Sequence, residues 1–192
     1  PSQQSALEEL LPKYGIQYSA GLGLLPINLL GNPDLPLTLD IGFGDGELLA
    51  SMASGNTHRN FIGIEVYTAG IGHCLKLIDQ KNIRNLRLVS GDAVEVMEFG
   101  IEGATINEIN LFFPDPWPKK RHRKRRIINA AFIELMSEKL MPGGLVNIST
   151  DWENYAEQIE DLFVKRKYFV KKSSVARCES TKFEKRGLSL GH

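Results

Sequence analysis

The amino-acid sequence predicts an α/β fold built on a doubly wound, mostly parallel β-sheet. Two observations lead to this prediction. Short apolar runs recur along the chain after residue 36, and the stretches between them suit helices. The first run ends in a glycine-rich turn, Gly42, Gly44 and Gly46, of the kind that leads from a strand into a helix. At 192 residues and 42% hydrophobic, the chain is long enough for a single domain with one sizeable core.

The predicted elements alternate along the chain. We expect residues 1–36 to form an N-terminal arm or cover with a short helix at 5–11, and residues 37–192 to form the core. We predict strands in "LTLDIG", "NFIGIE", "LRLVS", "INEINLFF" and "GLVNIST", and helices at 46–53, 67–80, 93–98 and 125–140, the last ending at "MPGG". After Thr150 we predict a helix capped by Asp151, followed by "KYFVKKSSVAR" as a strand of a C-terminal antiparallel hairpin.

The formal net charge of zero conceals an uneven distribution. Residues 1–118 carry 14 acidic and 6 basic side chains, a net −8, whereas residues 119–192 carry 9 acidic and 17 basic ones, a net +8. A basic half of this kind favours a polyanionic partner, because each phosphate that Lys or Arg neutralises releases condensed counterions.

The composition argues against several other classes of protein. Cys74 and Cys178 lie far apart, and neither they nor the four histidines have the spacing of metal ligands, so we expect reduced thiols and no metal site. No stretch resembles a signal peptide, and no apolar run approaches the roughly 18 residues of a membrane span. We therefore expect a cytoplasmic protein without membrane contact, and the sequence leaves monomer and homodimer open.

Acidic side chains recur at the predicted carboxyl ends of the strands, where ligands bind in sheets of this kind. Asp40 lies in the first strand, Glu65 ends the second, Asp92 follows the third and Asp115 follows the fourth. The intervals of 25, 27 and 23 residues each correspond to one strand and one helix. We therefore expect four carboxylates along one edge of the sheet.

The glycine turn lacks the third small residue of a dinucleotide-binding pattern, because Glu47 occupies that position. The site therefore favours a cofactor without phosphates, such as S-adenosylmethionine. Glu65, 19 residues after Gly46, has the usual place of an acid that accepts hydrogen bonds from a ribose. Asp92 would lie near the adenine and Asp40 near the cationic end of the cofactor. Alternatively, Asp92 is only a helix N-cap.

The stretch "FFPDPWPKKRHRKRR" places a carboxylate between two prolines and beside dense positive charge. Pro114 and Pro116 restrict the backbone, so we expect Asp115 to be held rigidly just past a strand. Seven of the last eight residues of the stretch are Lys or Arg. The alternatives are a rigid turn with Trp117 as a core plug, and a solvated helix face for the basic run. Beside an acidic crevice, we favour a surface that binds nucleic acid.

Together these motifs resemble the tRNA (guanine-N7)-methyltransferases of the bacterial single-chain type, over nearly the full length of the chain. The matching motifs are "DIGFGDG", "GIEV", "GDAVEV", "FFPDPWPKKRHRKRR", "STDWENYAE" and "TKFEKRG". The resemblance implies a Rossmann-like class I methyltransferase fold, S-adenosylmethionine as the cofactor and tRNA as the partner. It also implies methyl transfer to N7 of a guanine in the variable loop of tRNA, which forms 7-methylguanosine.

Applied to this sequence, the resemblance implies two sets of site residues. Cofactor contacts come from Asp40, Gly42, Gly44, Gly46, Glu65, Asp92 and Asp115, and Asp115 is also the catalytic residue. Substrate contacts come from Lys119, Asp151, Thr181, Lys182, Phe183 and Glu184. From their charge, we expect Lys120, Arg121, Arg123, Lys124, Arg125 and Arg126 to bind tRNA phosphates as well.

Two positions depart from the family pattern. Asp40 stands where the family often has Glu, and Arg123 stands where a second His is common. Without the resemblance, "TKFE" would be an exposed strand end and Asp151 a helix cap. Two other functions stay open, a methyltransferase of similar fold with another substrate and an RNA-binding relative without catalysis.

Overall fold

Five parallel strands form a sheet at the centre of the protein. The structure is a computed structural model that describes residues 3–19, 21 and 23–172. The strands are β1 Leu37–Ile41, β2 Asn60–Glu65, β3 Leu86–Ser90, β4 Ile106–Phe112 and β5 Leu140–Ser149. The helices are α1 Gln3–Tyr14, α2 Glu47–Gly55, α3 Thr68–Gln80, α4 Ala93–Glu95, α5 Ala130–Lys139 and α6 Glu153–Val164. Short 3₁₀-helices cover Ile27–Leu30 and Lys120–Arg125, and a π-helical turn covers Val96–Gly100.

The strand order is β3-β2-β1-β4-β5, and every pair of neighbouring strands is parallel. This order confirms the predicted doubly wound sheet. The order reverses at β1, which pairs with β2 on one side and with β4 on the other. Asp40 lies in this strand, opposite Gly63 of β2 and Asn110 of β4. In such sheets the ligand crevice opens at the carboxyl ends of the strands where the order reverses.

An apolar core lies on each side of the sheet. On one side, Phe61 of β2 and Leu86 of β3 are buried together with Leu75 of α3. On the other side, Ile109 of β4 is buried together with Met136 of α5. Successive side chains of a strand point to opposite faces, so strands covered on both sides are apolar along their length. This explains why the runs in the sequence are continuous rather than alternating.

Helix α1 is longer than the helix predicted at 5–11, and it is anchored to α3 and β3. The Tyr14 hydroxyl donates to Asp79 Oδ1 at 2.7 Å, and Lys13 Nζ lies 2.9 Å from the same oxygen. The Ile16 amide then donates to the carbonyl oxygen of Leu88 at 2.8 Å. The first part of the N-terminal segment therefore packs along the outer edge of the sheet, beside β3.

Helix α5 begins later than the sequence predicted. The Asn129 side chain caps it by accepting a hydrogen bond from the Phe132 amide at 3.0 Å, so residues 125–129 lie outside the helix. Most of the basic run forms the separate 3₁₀-helix Lys120–Arg125 instead. The helix predicted at 93–98 is likewise divided into α4 and the π-helical turn.

The predicted C-terminal hairpin is not present among the described residues. Helix α6 ends at Val164, and residues 167–172, which are the described part of the predicted strand, form no strand. Residues 173–177 of that prediction lie outside the described residues. Strand β5 is accordingly the last strand on its side of the sheet within the described part of the chain.

Candidate active site

The four acidic residues lie at the carboxyl edge of the sheet. Asp40 is in β1 and is 3% exposed, Glu65 is the last residue of β2, Asp92 follows β3 and Asp115 follows β4. Because these four strands are parallel and adjacent, their carboxyl ends meet at one edge. We call the group of Asp40, Glu65, Asp92 and Asp115 the acidic crevice.

The carboxylate of Glu65 is held by three backbone amides. Gly44 N–H donates to Oε2 at 2.9 Å, and the amides of Val66 and Tyr67 donate to Oε1 at 2.8 and 3.0 Å. These bonds fix the carboxylate directly beside the glycine turn. An ionised carboxylate has about four acceptor positions and three of them are used here, so Oε2 still has capacity for a hydroxyl of a ribose.

The glycine turn can form only because side chains are missing at several positions. Gly42, Gly44 and Gly46 have φ angles of 69°, 63° and 77°, in the left-handed region that favours glycine. The turn also packs directly on α3, where a Cβ on Gly70 would lie 2.0 Å from the carbonyl oxygen of Gly44. A Cβ on Gly46 would lie 2.4 Å from Cys74 Sγ. Helix α3 therefore packs closely against the turn, with backbone against backbone at Gly70 and only the small side chain of Cys74 at Gly46.

Cys74 lies behind the turn and is fully buried. Burial raises the pKa of its thiol well above the usual range, and the negative charges of Asp40 and Asp45 raise it further. The thiol therefore stays protonated and acts as a small apolar side chain. The reduced, structural role predicted for this cysteine agrees with that environment.

Asp92 caps helix α4. Its Oδ1 accepts a hydrogen bond from the Glu95 amide at 3.0 Å, so Asp92 is an N-cap, which by itself does not decide between the cofactor role and the alternative. The side chain is nevertheless exposed at the edge of the crevice. A second contact stabilises this loop, because the hydroxyl of Tyr18 donates to the carbonyl oxygen of Glu95 at 3.1 Å. A cap that is fixed in this way can present its second carboxylate oxygen to a ligand.

Asp115 lies in a constrained loop, residues 113–118, which we call the site loop. Phe113 and Trp117 have positive φ angles of 54° and 42°, and each precedes a proline. Left-handed non-glycine residues cost about 1–3 kcal/mol each and persist only where the surrounding structure holds them. Asp115 itself is exposed. Its negative charge acts on Tyr155 of α6. Burial raises the pKa of the Tyr155 hydroxyl, and the charge of Asp115 raises it further.

The basic 3₁₀-helix Lys120–Arg125 folds back onto the site loop. The Arg125 guanidinium lies 4.9 Å from the centroid of the Trp117 ring, and the His122 ring meets the same tryptophan edge-on at 5.9 Å. Trp117 is half-buried and supports the basic helix, rather than plugging the main core as the alternative proposed. Four of the five cations in this helix, and Lys119 before it, have solvent-exposed side chains close to Asp115 in the chain.

Arg123 and Arg126 differ from the other cations of the run. Arg123 is half-buried, and its Nε has no hydrogen-bond partner among the described residues. Arg126 is only 2% exposed, and its guanidinium is used by protein acceptors. We therefore correct the expectation that Arg126 binds a tRNA phosphate, because its guanidinium is buried and already bound to acceptors within the protein, so a phosphate cannot reach it.

Asp151 is exposed and lies between β5 and α6, near the same edge of the sheet. The N-cap position of α6 belongs to Trp152, which has no capping side-chain hydrogen bond, so the prediction that Asp151 caps this helix is wrong. The remaining predicted substrate residues, Thr181, Lys182, Phe183 and Glu184, lie outside the described residues.

Comparisons with known proteins show the family of this chain. A family model described as a putative methyltransferase matches residues 34–192. The tRNA (guanine-N(7)-)-methyltransferase of Halorhodospira halophila is 42% identical over 99% of this chain and 85% of that protein. The enzyme of the same name from Sodalis glossinidius is 45% identical over 99% of this chain and 82% of that protein. The chain belongs to the tRNA (guanine-N7)-methyltransferase family.

Solved structures of more distant proteins share the fold of this family member. Precorrin-6y C5,15-methyltransferase from Geobacter metallireducens aligns with a TM-score of 0.55 at 12% identity, over 72% of this chain and 67% of that protein. An rRNA methylase from Streptococcus thermophilus aligns with a TM-score of 0.51 at 17% identity, over 71% and 72% of the two chains. At these identities the similarity supports the class I methyltransferase fold and nothing finer.

Two kinds of feature are absent from the part of the chain that the structure describes. No three His, Cys, Asp or Glu side chains within residues 3–172 come together as a group that could hold a metal ion. Among the described helices, none has both the length and the apolar character that crossing a membrane requires.

Proposed function

We propose that this protein transfers a methyl group from S-adenosylmethionine to N7 of a guanine in tRNA, forming 7-methylguanosine. One observation carries the proposal: the acidic crevice and the basic 3₁₀-helix Lys120–Arg125 are joined by the site loop, which holds Asp115. A site for a cationic methyl donor therefore borders a surface for a polyanion. The relatives named tRNA (guanine-N(7)-)-methyltransferase support the same assignment.

The residues of the crevice fit S-adenosylmethionine. The glycine turn lets the backbone approach the cofactor, since Gly42 and Gly44 carry no side chain where a Cβ would meet no protein atom within 4 Å. Glu65 is fixed beside the turn as an acceptor for a ribose hydroxyl, and Asp40 and Asp92 supply negative charge for the cationic end and the adenine amino group. When bound, the cofactor supplies an electrophilic methyl group on a sulfonium.

The guanine requires orientation rather than deprotonation. Guanine N7 has an available lone pair and carries no proton, so no general base is needed to create the nucleophile. Holding N7 in line with the methyl group is the larger contribution to rate. As the new bond forms, the purine becomes cationic, and a preorganised carboxylate near its N–H groups stabilises that charge. We propose Asp115 for this role, with Asp151 as a second carboxylate that contacts the substrate.

The exposed cations supply the affinity for tRNA. Phosphate contacts fix the position and orientation of a nucleic acid but carry little sequence information. In our proposal the phosphate-binding residues are Lys119, Lys120, Arg121, Arg123, Lys124 and Arg125. Placement of the folded tRNA on this surface then selects a guanine of the variable loop. We also propose that the protein acts in the cytoplasm on this substrate, and that Thr181, Lys182, Phe183 and Glu184 contribute further contacts.

The proposal is tested by nucleoside analysis. Purified protein is incubated with S-adenosylmethionine and total tRNA from a strain that lacks this modification, and the tRNA is digested and analysed by mass spectrometry. The proposal predicts 7-methylguanosine, located in the variable-loop fragment. Methylation of protein or of a small molecule without tRNA methylation would favour a different substrate, and cofactor binding without any transfer would favour a relative that has lost catalysis.

A further inference from the structure

Arg126 is the one cation of the basic run that the fold encloses, and all its polar contacts in the described residues are internal. Its Nε donates to the carbonyl oxygen of Pro116 at 2.7 Å. Nη1 donates to Gln158 Oε1 at 2.7 Å, and Nη2 donates to Asn154 Oδ1 at 3.3 Å. The guanidinium carbon also lies 4.5 Å from the centroid of the Tyr155 ring.

These contacts join two segments that carry the two substrate-facing carboxylates. Pro116 directly follows Asp115 in the site loop. Asn154, Tyr155 and Gln158 belong to the first turns of α6, which begins two residues after Asp151. One side chain therefore ties the backbone beside Asp115 to the helix beside Asp151.

The site loop needs such a tie. It contains two residues with left-handed φ angles, and strained backbone of this kind is retained only if neighbouring groups hold it. A planar guanidinium with donors in a fixed fork is suited to the task, since hydrogen bonds from a charged group are stronger than those between neutral groups. Burial, followed by the nearby charge of Arg123, lowers the pKa of Arg126, in keeping with its enclosure.

We propose that Arg126 is a positioning residue for methyl transfer, which sets the placement of Asp115 relative to Asp151. This inference rests on the function proposed above. It assigns to Arg126 an effect on the rate of the chemical step, in contrast with its exposed neighbours, which act on tRNA affinity. Misplacement of a reacting group by about an ångström can reduce a rate by up to a hundredfold, so a modest shift of the loop is sufficient.

The test compares Arg126→Met and Arg126→Lys with two reference substitutions. Arg126→Met retains much of the buried volume and removes every donor, and Arg126→Lys retains the charge but loses the fork. Arg125→Met removes the adjacent exposed cation, for which we expect a loss of tRNA affinity and of salt dependence. Single-turnover methylation, cofactor affinity and tRNA affinity at several salt concentrations are measured for each protein.

Arg166 is the matched control for general destabilisation. It is also a largely buried arginine with a fork of contacts between α5 and α6, to Glu134 Oε1, the Leu162 carbonyl and the Ala130 carbonyl. It lies at the far end of α6, beyond the last residue of that helix. Arg166→Met should lower the melting temperature and leave the single-turnover rate unchanged.

We expect both Arg126 variants to lose at least tenfold in single-turnover rate, with cofactor affinity and the salt dependence of tRNA binding preserved. Faster amide hydrogen exchange at Phe113, whose amide donates to the Ser149 carbonyl oxygen at the start of the site loop, should accompany this loss, which is a readout independent of activity. If Arg126→Met does not fold, Asn154→Ala and Gln158→Ala test the same contacts singly and together.

Two results would overturn the inference. They are an unchanged rate in the Arg126 variants, whether or not the salt dependence falls, and an equal rate loss in Arg166→Met. If the wild-type protein fails to methylate tRNA, it is the proposed function that fails. Unchanged hydrogen exchange in the site loop of Arg126→Met would then refute the positioning role as well.

Discussion

The amide of Phe113 donates a hydrogen bond to the carbonyl oxygen of Ser149 at 2.8 Å. This bond extends the pairing of β4 and β5 one step beyond the strands themselves, to the start of the site loop. Asp115 lies two residues after Phe113, and Asp151 lies two residues after Ser149. In our account these two carboxylates face the substrate. They therefore follow the carboxyl ends of adjacent strands, each two residues beyond the last residue of the pairing.

The first prediction concerns Glu65. Glu65→Gln keeps the size of the side chain but replaces one acceptor oxygen with an NH₂ donor. In one orientation this donor faces the N–H of Gly44, and in the other it faces the N–H groups of Val66 and Tyr67, so a hydrogen bond is lost in either case. A hydrogen bond to a charged group is worth about 1.5–3 kcal/mol, so we expect cofactor affinity to fall by at least about tenfold. Isothermal titration with S-adenosylmethionine measures this loss. Glu102→Gln, an exposed glutamate preceding β4, is the control, and an equal loss there would contradict the assignment.

The second prediction concerns the contact between α3 and the glycine turn. Gly70→Ala places a methyl group 2.0 Å from the Gly44 carbonyl oxygen, which forces the turn and the helix apart. Overpacking typically costs about 1–3 kcal/mol, and here the displaced atoms belong to the cofactor turn, so stability and cofactor affinity should fall together. Gly55→Ala is the matched control, because a Cβ there meets nothing within 4 Å. Urea unfolding and cofactor titration of both variants check the prediction, which fails if Gly70→Ala behaves like Gly55→Ala.

The third prediction concerns the exposed cations. The double variant Arg121→Ala with Lys124→Ala removes two charges from the basic 3₁₀-helix. Each phosphate contact contributes about 0.7–0.9 to the slope of log K against log salt, so the slope should become shallower by about 1.4–1.8 units. Lys81→Ala with Arg84→Ala removes the same two residue types from an exposed position before β3. Filter binding of tRNA over a salt series should separate the two variants, and the same slope in both would place the tRNA surface elsewhere.

The sheet and the edge on which the site lies could be predicted from the sequence for a specific reason. Each strand is an apolar run that ends near an acid or a glycine, and parallel sheets bring such ends together whatever the details of packing. The spacing of Asp40, Glu65, Asp92 and Asp115 was therefore enough to predict that they lie at one edge of the sheet. The limits of the helices were harder to predict. The start of α5, for example, is set by the hydrogen bond that the Asn129 side chain accepts from the Phe132 amide.

The separate role of Arg126 could not be predicted in the same way. Within a run of seven cations every Lys and Arg looks equally suited to phosphate. What distinguishes Arg126 is contact with Asn154 and Gln158, about thirty residues later in the chain, and that contact exists only once α6 packs on the site loop. Gly70 did have a local signal, since a glycine inside a helical pattern is unfavourable unless close packing requires it.

The central claim is that Asp115 acts on the chemical step, at the meeting point of cofactor and tRNA. The decisive measurement is the single-turnover rate of 7-methylguanosine formation by Asp115→Asn, beside the affinities for S-adenosylmethionine and tRNA. Asp161→Asn, an exposed aspartate of α6, serves as the control. The account predicts that the rate falls by about a hundredfold or more, as when a preorganised charge-stabilising group is removed, while both affinities change far less. A rate close to that of the wild-type protein, with both ligands bound, would contradict it.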